Sequence, residues 1–287
     1  MAQISLKEIK SASYERAEID KGYTDQSLHI NLDSDDISIQ SIDEKVKNRF
    51  IGGKGYDLWY LWNAVSKNTQ WDDPENAICI SSGPLGGTPG YPGGGKSIVT
   101  SISPLTSAPV DSNVGGYFGP YKKFSGFDLM QITGKAEKDT VVYIDGIEQT
   151  IKIFEAENLP SDSYELSEAL TYHFDPDKPV NISVVSAGPG AEHTNFGCLN
   201  FSWFDTGRKI VRYKQAGRGG TGTVFADKKV KALVARWGSV TMKTNNPADI
   251  DAVKKVTKKH AKEINELDPK QRRMATVGTT HIVPIMN

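Results

Sequence analysis

Glycine placement constrains this chain more than any other feature. Of 27 glycines in 287 residues, eleven fall between Gly83 and Gly126 and eight more between Gly188 and Gly222. Glycine reaches φ > 0 and lets backbone approach backbone or ligand closely, at a cost in chain entropy. Helix and strand interiors disfavour it, so two dense clusters mark two loop systems whose backbone amides touch something. The rest of the composition is that of an ordinary globular frame, 38% hydrophobic and 24% charged. The length is enough for one large domain or two smaller ones. A formal net charge of −1 excludes a globally basic nucleic-acid binder. No run of apolar residues is long enough to predict a membrane span. The opening Met1-Ala2-Gln3-Ile4-Ser5-Leu6-Lys7-Glu8 mixes charges early and lacks the apolar segment of a secretory signal. Cys79 and Cys198 are too few and too far apart for a disulfide framework or a CxxC site, so a reducing cytoplasm is the expected compartment.

The chain divides by character. Residues 1–27 read as a polar, irregular N-terminal extension. Leu28–Leu32 and Ile37–Ile39 alternate at period two around Asp33-Ser34-Asp35-Asp36 and predict a hairpin. A short helix from Ile42 and a second carrying Tyr56, Leu58, Trp59, Leu61 and Trp62 follow, then a strand at Ala77–Ile80. Ser97–Ser103 and Leu129–Thr133 read as strands. Val141–Ile144 and Ile147–Ile153 read as a hairpin closed by a two-residue Asp145-Gly146 turn. Ser161–His173 predicts an amphipathic helix, Val180–Ala187 a buried strand, and Lys229–Trp237 the closing strand of a domain spanning 28–240. From 241 to 287 the character is helical. Asn245-Asn246-Pro247 reads as a helix start, and Ile250, Val253, Val256, His260, Ile264 and Leu267 recur on one face.

Gly90-Tyr91-Pro92-Gly93-Gly94-Gly95-Lys96-Ser97 matches the phosphate-loop pattern GxxxxGK[ST] letter for letter. That loop works by aiming helix N-terminal amides at phosphates, so a helix must follow it. Ile98-Val99-Thr100-Ser101-Ile102 is β-branched and alternating, which predicts a strand instead. Nucleotide hydrolysis is therefore rejected, although Lys96 and flexible amides still suit an anion.

Eight blocks, taken in order, carry a resemblance. They are Phe50-Ile51-Gly52-Gly53-Lys54-Gly55; Gly83-Pro84-Leu85-Gly86-Gly87-Thr88-Pro89; Ser103-Pro104-Leu105-Thr106; Ser112–Gly119; Phe124-Ser125-Gly126-Phe127-Asp128; Gly134-Lys135-Ala136; Gly188-Pro189-Gly190-Ala191-Glu192; and Ala216–Gly222. Each is weak alone. Their order and spacing together resemble the N-terminal domain of the tungsten-containing aldehyde:ferredoxin oxidoreductase family, over about residues 28–240.

The resemblance implies an α+β fold with two antiparallel-rich sheets beneath a bis-pterin cofactor, followed by the start of an α-helical domain. In the family two pterins chelate one tungsten, rarely molybdenum, and their phosphates are bridged by Mg2+. Carried over position by position, the cofactor-binding residues are Lys96, Ser97, Asn113, Gly115, Gly116, Lys214, Gln215 and Arg218. The backbone carbonyls of Asn113 and Gln215 are the expected Mg2+ ligands. Lys96 and Lys214 stand where the family usually has Arg, which keeps the charge and loses the bidentate fork. Gln215 replaces an Ala, a change that a backbone ligand tolerates.

The family's [4Fe–4S] cluster needs four thiolates, and its active-site acids and substrate pocket belong to later helical domains. The expectation is thus a split enzyme, with a truncated piece of a longer chain as the alternative. A complementary chain would carry the cluster cysteines and pass electrons to ferredoxin or an Fe–S subunit during two-electron aldehyde/carboxylate interconversion. A class II benzoyl-CoA reductase-like catalytic subunit and a non-catalytic scaffold paralogue are the alternatives. No catalytic residue is assigned. Tyr56, Trp59 and Trp62 are read as core, Cys79 as an inert buried thiol, His193 as solvated, His260 as packed or interfacial, and the Lys254–Lys262 charges as a solvated face or subunit contact.

Overall fold

The computed structural model describes residues 4–271 and 273–286. Its elements run β1 (Ser5–Ser13), β2 (Gln26–Asn31), β3 (Asp36–Ser41), α1 (Glu44–Phe50), α2 (Lys54–Ala64), β4 (Ile78–Ser81), β5 (Ser97–Ile102), β6 (Pro109–Val114), α3 (Phe118–Phe124), β7 (Leu129–Thr133), β8 (Thr140–Asp145), β9 (Thr150–Glu157), α4 (Ser163–Phe174), β10 (Ile182–Ala187), β11 (Leu199–Asp205), β12 (Ile210–Ala216), α5 (Thr221–Asp227), β13 (Val230–Arg236) and α6 (Ile250–Gln271). Two sheets result, ordered β1-β9-β8-β13-β10-β11-β12 and β3-β2-β7-β4-β5-β6. Pairing is parallel at β8–β13 and β2–β7 and antiparallel elsewhere, so the expected two-sheet, antiparallel-rich α+β architecture is present.

Period-two alternation explains the layering. Val142 and Ile144 of β8 join a central core with Leu28, Ile30, Val99, Phe201 and Leu233, between the two sheets. Their neighbours Val141 and Tyr143 face the other way and pack with Leu166 and Leu170 of α4. On the far face of the second sheet, Tyr56 and Leu61 of α2 cover Leu129 and Cys79. Helices α3 and α5 lie between the sheets, and every residue of α3 is buried. Phe118, Phe124, Val224 and Phe225 anchor them in the central core.

Several readings of the sequence need correction. Residues 5–13 are not irregular: β1 pairs antiparallel with β9, with a register shift between Glu8 and Lys10. Its lysines and that bulge suit an edge strand, which must not recruit a further strand. The β8–β9 connection is longer than Asp145-Gly146. Asp145 pairs with Thr150, and its carboxylate accepts the Ile147 and Glu148 amides across the four-residue loop. Asn245-Asn246-Pro247 does not start the tail helix. Asp249 does, accepting the Asp251 and Ala252 amides. Of the three aromatics read as core, Tyr56 is buried but Trp62 is 77% exposed. No helix among the described residues is long and apolar enough to cross a membrane.

Candidate functional site

The two glycine-rich loop systems meet where the ends of the two sheets come together. The first, 83–96, joins β4 to β5, and the second, 217–220, joins β12 to α5. Pairing sets Ser97 beside Val114 and Ile98 beside Asn113, so Lys96 enters β5 where β6 runs out into Gly115-Gly116. Close approach then links the sheets. A Cβ on Gly95 would lie 3.0 Å from the Gly116 carbonyl, one on Gly115 3.4 Å from Cγ of Lys214, and one on Gly116 3.2 Å from Cβ of Phe201. The Arg218 amide donates to Oγ of Ser112 at 3.1 Å, which brings the second loop beside Asn113.

All eight residues singled out from the sequence therefore gather at one place, although Lys96 and Lys214 are over a hundred positions apart. Lys96, Asn113, Lys214, Gln215 and Arg218 are exposed there. None of the eight is acidic, and the nearby Asp111 is paired with Lys54. Cations and backbone donors without a competing carboxylate form an environment for anions.

Two placements qualify the picture. Ser97 is buried and its hydroxyl points at α3, where a Cβ on Gly119 would lie 1.9 Å from Oγ. What Ser97 offers the site is backbone. The Gln215 amide donates to Oδ1 of Asn200 at 3.1 Å, so its side chain is engaged within the sheet. The phosphate-loop match is resolved as expected: β5, not a helix, follows Lys96-Ser97.

Sequence reasoning missed an aromatic wall. Tyr117, 40% exposed, lies 6.5 Å from the Trp203 ring. The cations of Arg212 and Lys214 stand 5.5 and 5.8 Å from that same ring. Trp203 pairs with Arg212 across β11–β12, and the alternation of Phe201-Ser202-Trp203 was the available signal. Beside the wall, a cavity of about 590 Å³ opens under the first loop between Gly94, Gly95, Tyr117, Tyr121 and Val240, within the usual size of a small-molecule pocket.

Beneath the loops lies a buried charged layer. Burial pushes Lys122 down to about 7 and Lys123 down to about 8, against the attraction of Asp128. Lys122 donates to the Phe127 and Asp128 carbonyls at 2.8 Å. Asp57, on the second sheet's far side, is driven up to about 8 by burial, with the Ser81 hydroxyl and Lys122 opposing the rise. Cys79 is buried and its thiol is raised by burial, as an inert thiol should be. His193 is exposed, His260 sits 6.1 Å from Tyr91, and Lys254, Lys259 and Lys262 form ion pairs within α6. Among the described residues no group of three His, Cys, Asp or Glu is placed to hold a metal ion.

The sequence profile described as "Aldehyde ferredoxin oxidoreductase, N-terminal domain" matches residues 27–237. The tungsten-containing aldehyde ferredoxin oxidoreductase of Pyrococcus furiosus is 32% identical over 216 residues, 75% of this chain and 33% of that protein. The aliphatic sulfonate oxidoreductase, WOR-like subunit, of the same organism is 29% identical over 220 residues, 75% of this chain and 34% of that one. Among solved structures, the active site complex BamBC of benzoyl coenzyme A reductase, in complex with 1,5-dienoyl-CoA, superposes with a TM-score of 0.65 and 25% identity. That match covers 75% of this chain and 31% of the other. The chain spans about a third of the length of the curated relatives it matches.

Proposed function

This chain belongs to the aldehyde ferredoxin oxidoreductase family through its N-terminal domain, and on that premise we propose that it cradles a bis-pterin tungsten or molybdenum cofactor within a larger oxidoreductase. One observation carries the reading: both glycine-rich loops converge with Lys96, Lys214 and Arg218 on a surface whose eight candidate positions include no carboxylate.

The donor set fits the group. Lys96, Lys214 and Arg218 would neutralise the pterin phosphates, and the Gly115 and Gly116 backbones would lie against the ligand, as small residues permit. A Cβ on Gly217, next to Arg218, would meet open space, so the loop leaves room on the ligand side. The Asn113 and Gln215 carbonyls would hold the Mg2+, which would help neutralise the cofactor's phosphates. Oxygen ligands suit that ion, and it keeps several waters when few protein groups bind it. When bound, the cofactor supplies two-electron redox chemistry of the kind that interconverts an aldehyde and a carboxylate. This chain's residues bind and orient it; the substrate pocket, active-site acids and [4Fe–4S] cysteines are assigned to complementary polypeptide that passes electrons to ferredoxin or an Fe–S subunit.

The test is elemental and pterin analysis of the full chain, purified anaerobically from its native source with whatever accompanies it. About one tungsten or molybdenum per chain, with pterin and several irons, is expected. A folded complex holding neither metal nor pterin would leave a scaffold and end the cofactor reading. A second reading is favoured by the structural likeness to the benzoyl coenzyme A reductase complex, namely a reductase of an aromatic CoA thioester. Assaying the same preparation with aromatic aldehydes and with an aromatic CoA thioester separates the two.

A further inference from the structure

Lys123 of α3 is 0% exposed, and among the described residues its ammonium meets neutral oxygens and no carboxylate within ion-pair distance. A buried ammonium must be compensated. Asp128 attracts it from beyond ion-pair distance, and five neutral oxygens form its direct shell. The Gly83 carbonyl accepts at 2.7 Å, the Gly22 and Gly86 carbonyls at 2.9 Å, and the Pro84 carbonyl and Oδ1 of Asn245 lie at 3.4 Å. An ammonium donates three hydrogen bonds and accepts none. The three shorter contacts take its protons, and the two longer ones complete a shell. Carbonyl oxygens replacing a hydration shell are how proteins hold a bare monovalent cation.

The cage joins three separated segments: the turn between β1 and β2, the first glycine-rich loop, and the stretch before α6. Asn245 reinforces it, donating to the Pro84 carbonyl at 2.7 Å and to Oγ1 of Thr88 at 2.9 Å. Gly22 sits at φ +84° so tightly that a Cβ would lie 2.2 Å from the Pro84 carbonyl. The loop also carries its own hydrogen bonds, Gly87 to Gly94 and Lys96 to Gly93 among them. Its shape is thus set internally, and its place in the fold is set by the cage.

We propose that Lys123 is a positioning residue whose ammonium acts as a resident monovalent cation, and that the oxygen cage around it is a latent potassium- or ammonium-sized site that fixes the 83–96 loop. The property belongs to the chain without any cofactor, so it stands or falls separately from the cofactor reading.

Lys123→Ala removes the resident cation. Amide hydrogen exchange of residues 83–96 in the full, cofactor-free chain is compared with that of β8 and β13, in potassium, ammonium and tetramethylammonium chlorides at equal ionic strength. In tetramethylammonium the variant's loop should exchange at least about tenfold faster than wild type, with β8 and β13 far less affected, since local opening is separable from global unfolding. Potassium or ammonium should restore the loop with a saturable dose dependence, and the wild type should respond to none of the three. Wild-type exchange in the variant loop, or no advantage of the small cations over tetramethylammonium, overturns the proposal. Should Lys123→Ala fail to fold even in ammonium, Asn245→Ala decides, because it removes one cage oxygen and two loop hydrogen bonds while keeping the ammonium. Faster exchange confined to 83–96 supports the cage, and an unchanged loop refutes it.

Discussion

Asp57 offers the sharpest test of the packing. It sits in the first turn of α2 against β4 and β5, fully buried. Oδ2 accepts from Thr100 at 3.2 Å, and Oδ1 has no partner. Burial drives the carboxyl from 3.8 up to about 8. A folded-state pKa above the unfolded one means that the folded chain keeps a proton which the unfolded chain releases. The associated stability is complete below about pH 3.8 and is lost as pH rises through about 8. Each pH unit inside that window costs about 1.4 kcal/mol, so Asp57 removes about 3 kcal/mol between pH 5 and pH 7. Lys122, pushed down to about 7, starts to lose its proton at the top of that interval. Its titration, like that of other groups there, is set against the same titration in Asp57→Asn, whose amide has no proton to lose. Urea unfolding of both proteins at pH 5 and pH 7, followed by tryptophan fluorescence, gives the difference directly. The variant should gain about 3 kcal/mol on wild type between the two values, whatever its offset at pH 5. Stabilities that run parallel to within about 0.5 kcal/mol would refute a protonated, desolvated Asp57.

Three further outcomes are expected. Gly119→Ala should destabilise by about 1–3 kcal/mol, since its Cβ would meet Oγ of Ser97 at 1.9 Å, and adding Ser97→Ala should recover most of that loss in a denaturation cycle. Lys96→Ala and Lys214→Ala should each cut retention of pterin and its metal roughly tenfold or more while Lys→Arg at either position retains it, and unchanged loading would remove these side chains from the site. Arg236 bridges Asp145 and Asp175 at 2.9 and 3.2 Å. Burial raises the Asp145 carboxyl, but hydrogen bonds from the Glu148 amide, Tyr143 and Arg236 outweigh it and hold the group below its usual value. That contribution is present above the ordinary carboxylate pKa and is lost on acidification, so Arg236→Met should cost about 2–4 kcal/mol at pH 7 and move the acid-unfolding midpoint upward. An unmoved midpoint would refute it.

What could be read in advance follows from local physics. Hairpin β2–β3 and helix α4 announce themselves because each buries one face and so keeps a clean period, and β8 because a short β-branched and aromatic run buried on both faces ends at turn residues. β6, with Asp111-Ser112-Asn113 at its centre, carries too little apolar alternation to signal a strand. α3 reads Phe-Gly-Pro-Tyr-Lys-Lys-Phe, which combines poor helix formers with a lysine pair, and only its burial between two sheets makes it a helix. Trp62 obeys helical spacing yet faces solvent, since a period states which residues share a face and not what covers it. The site was legible only as an ordered set of family blocks. Nothing local to Lys96 implies that Lys214 lies nearby; that proximity is created by Gly95 against Gly116 and Gly115 against the Lys214 stem.

Those contacts also bear on what the glycines are for. A loop rich in glycine is usually flexible, and ordering it on binding a ligand would cost free energy. Here the second loop is packed rather than free. A Cβ on Gly219 would lie 2.4 Å from Val110, and one on Gly220 2.3 Å from the Asn195 carbonyl. The first loop is bonded across itself and held through Lys123 and Asn245. In both systems glycine allows backbone to pack where a side chain would not fit, which spends the ordering entropy during folding. A ligand gripped from both loops at once then meets donors already in place. Because those donors belong to different sheets, binding should also resist separation of the sheets, and the chain's melting temperature should rise with ligand concentration as mass action requires.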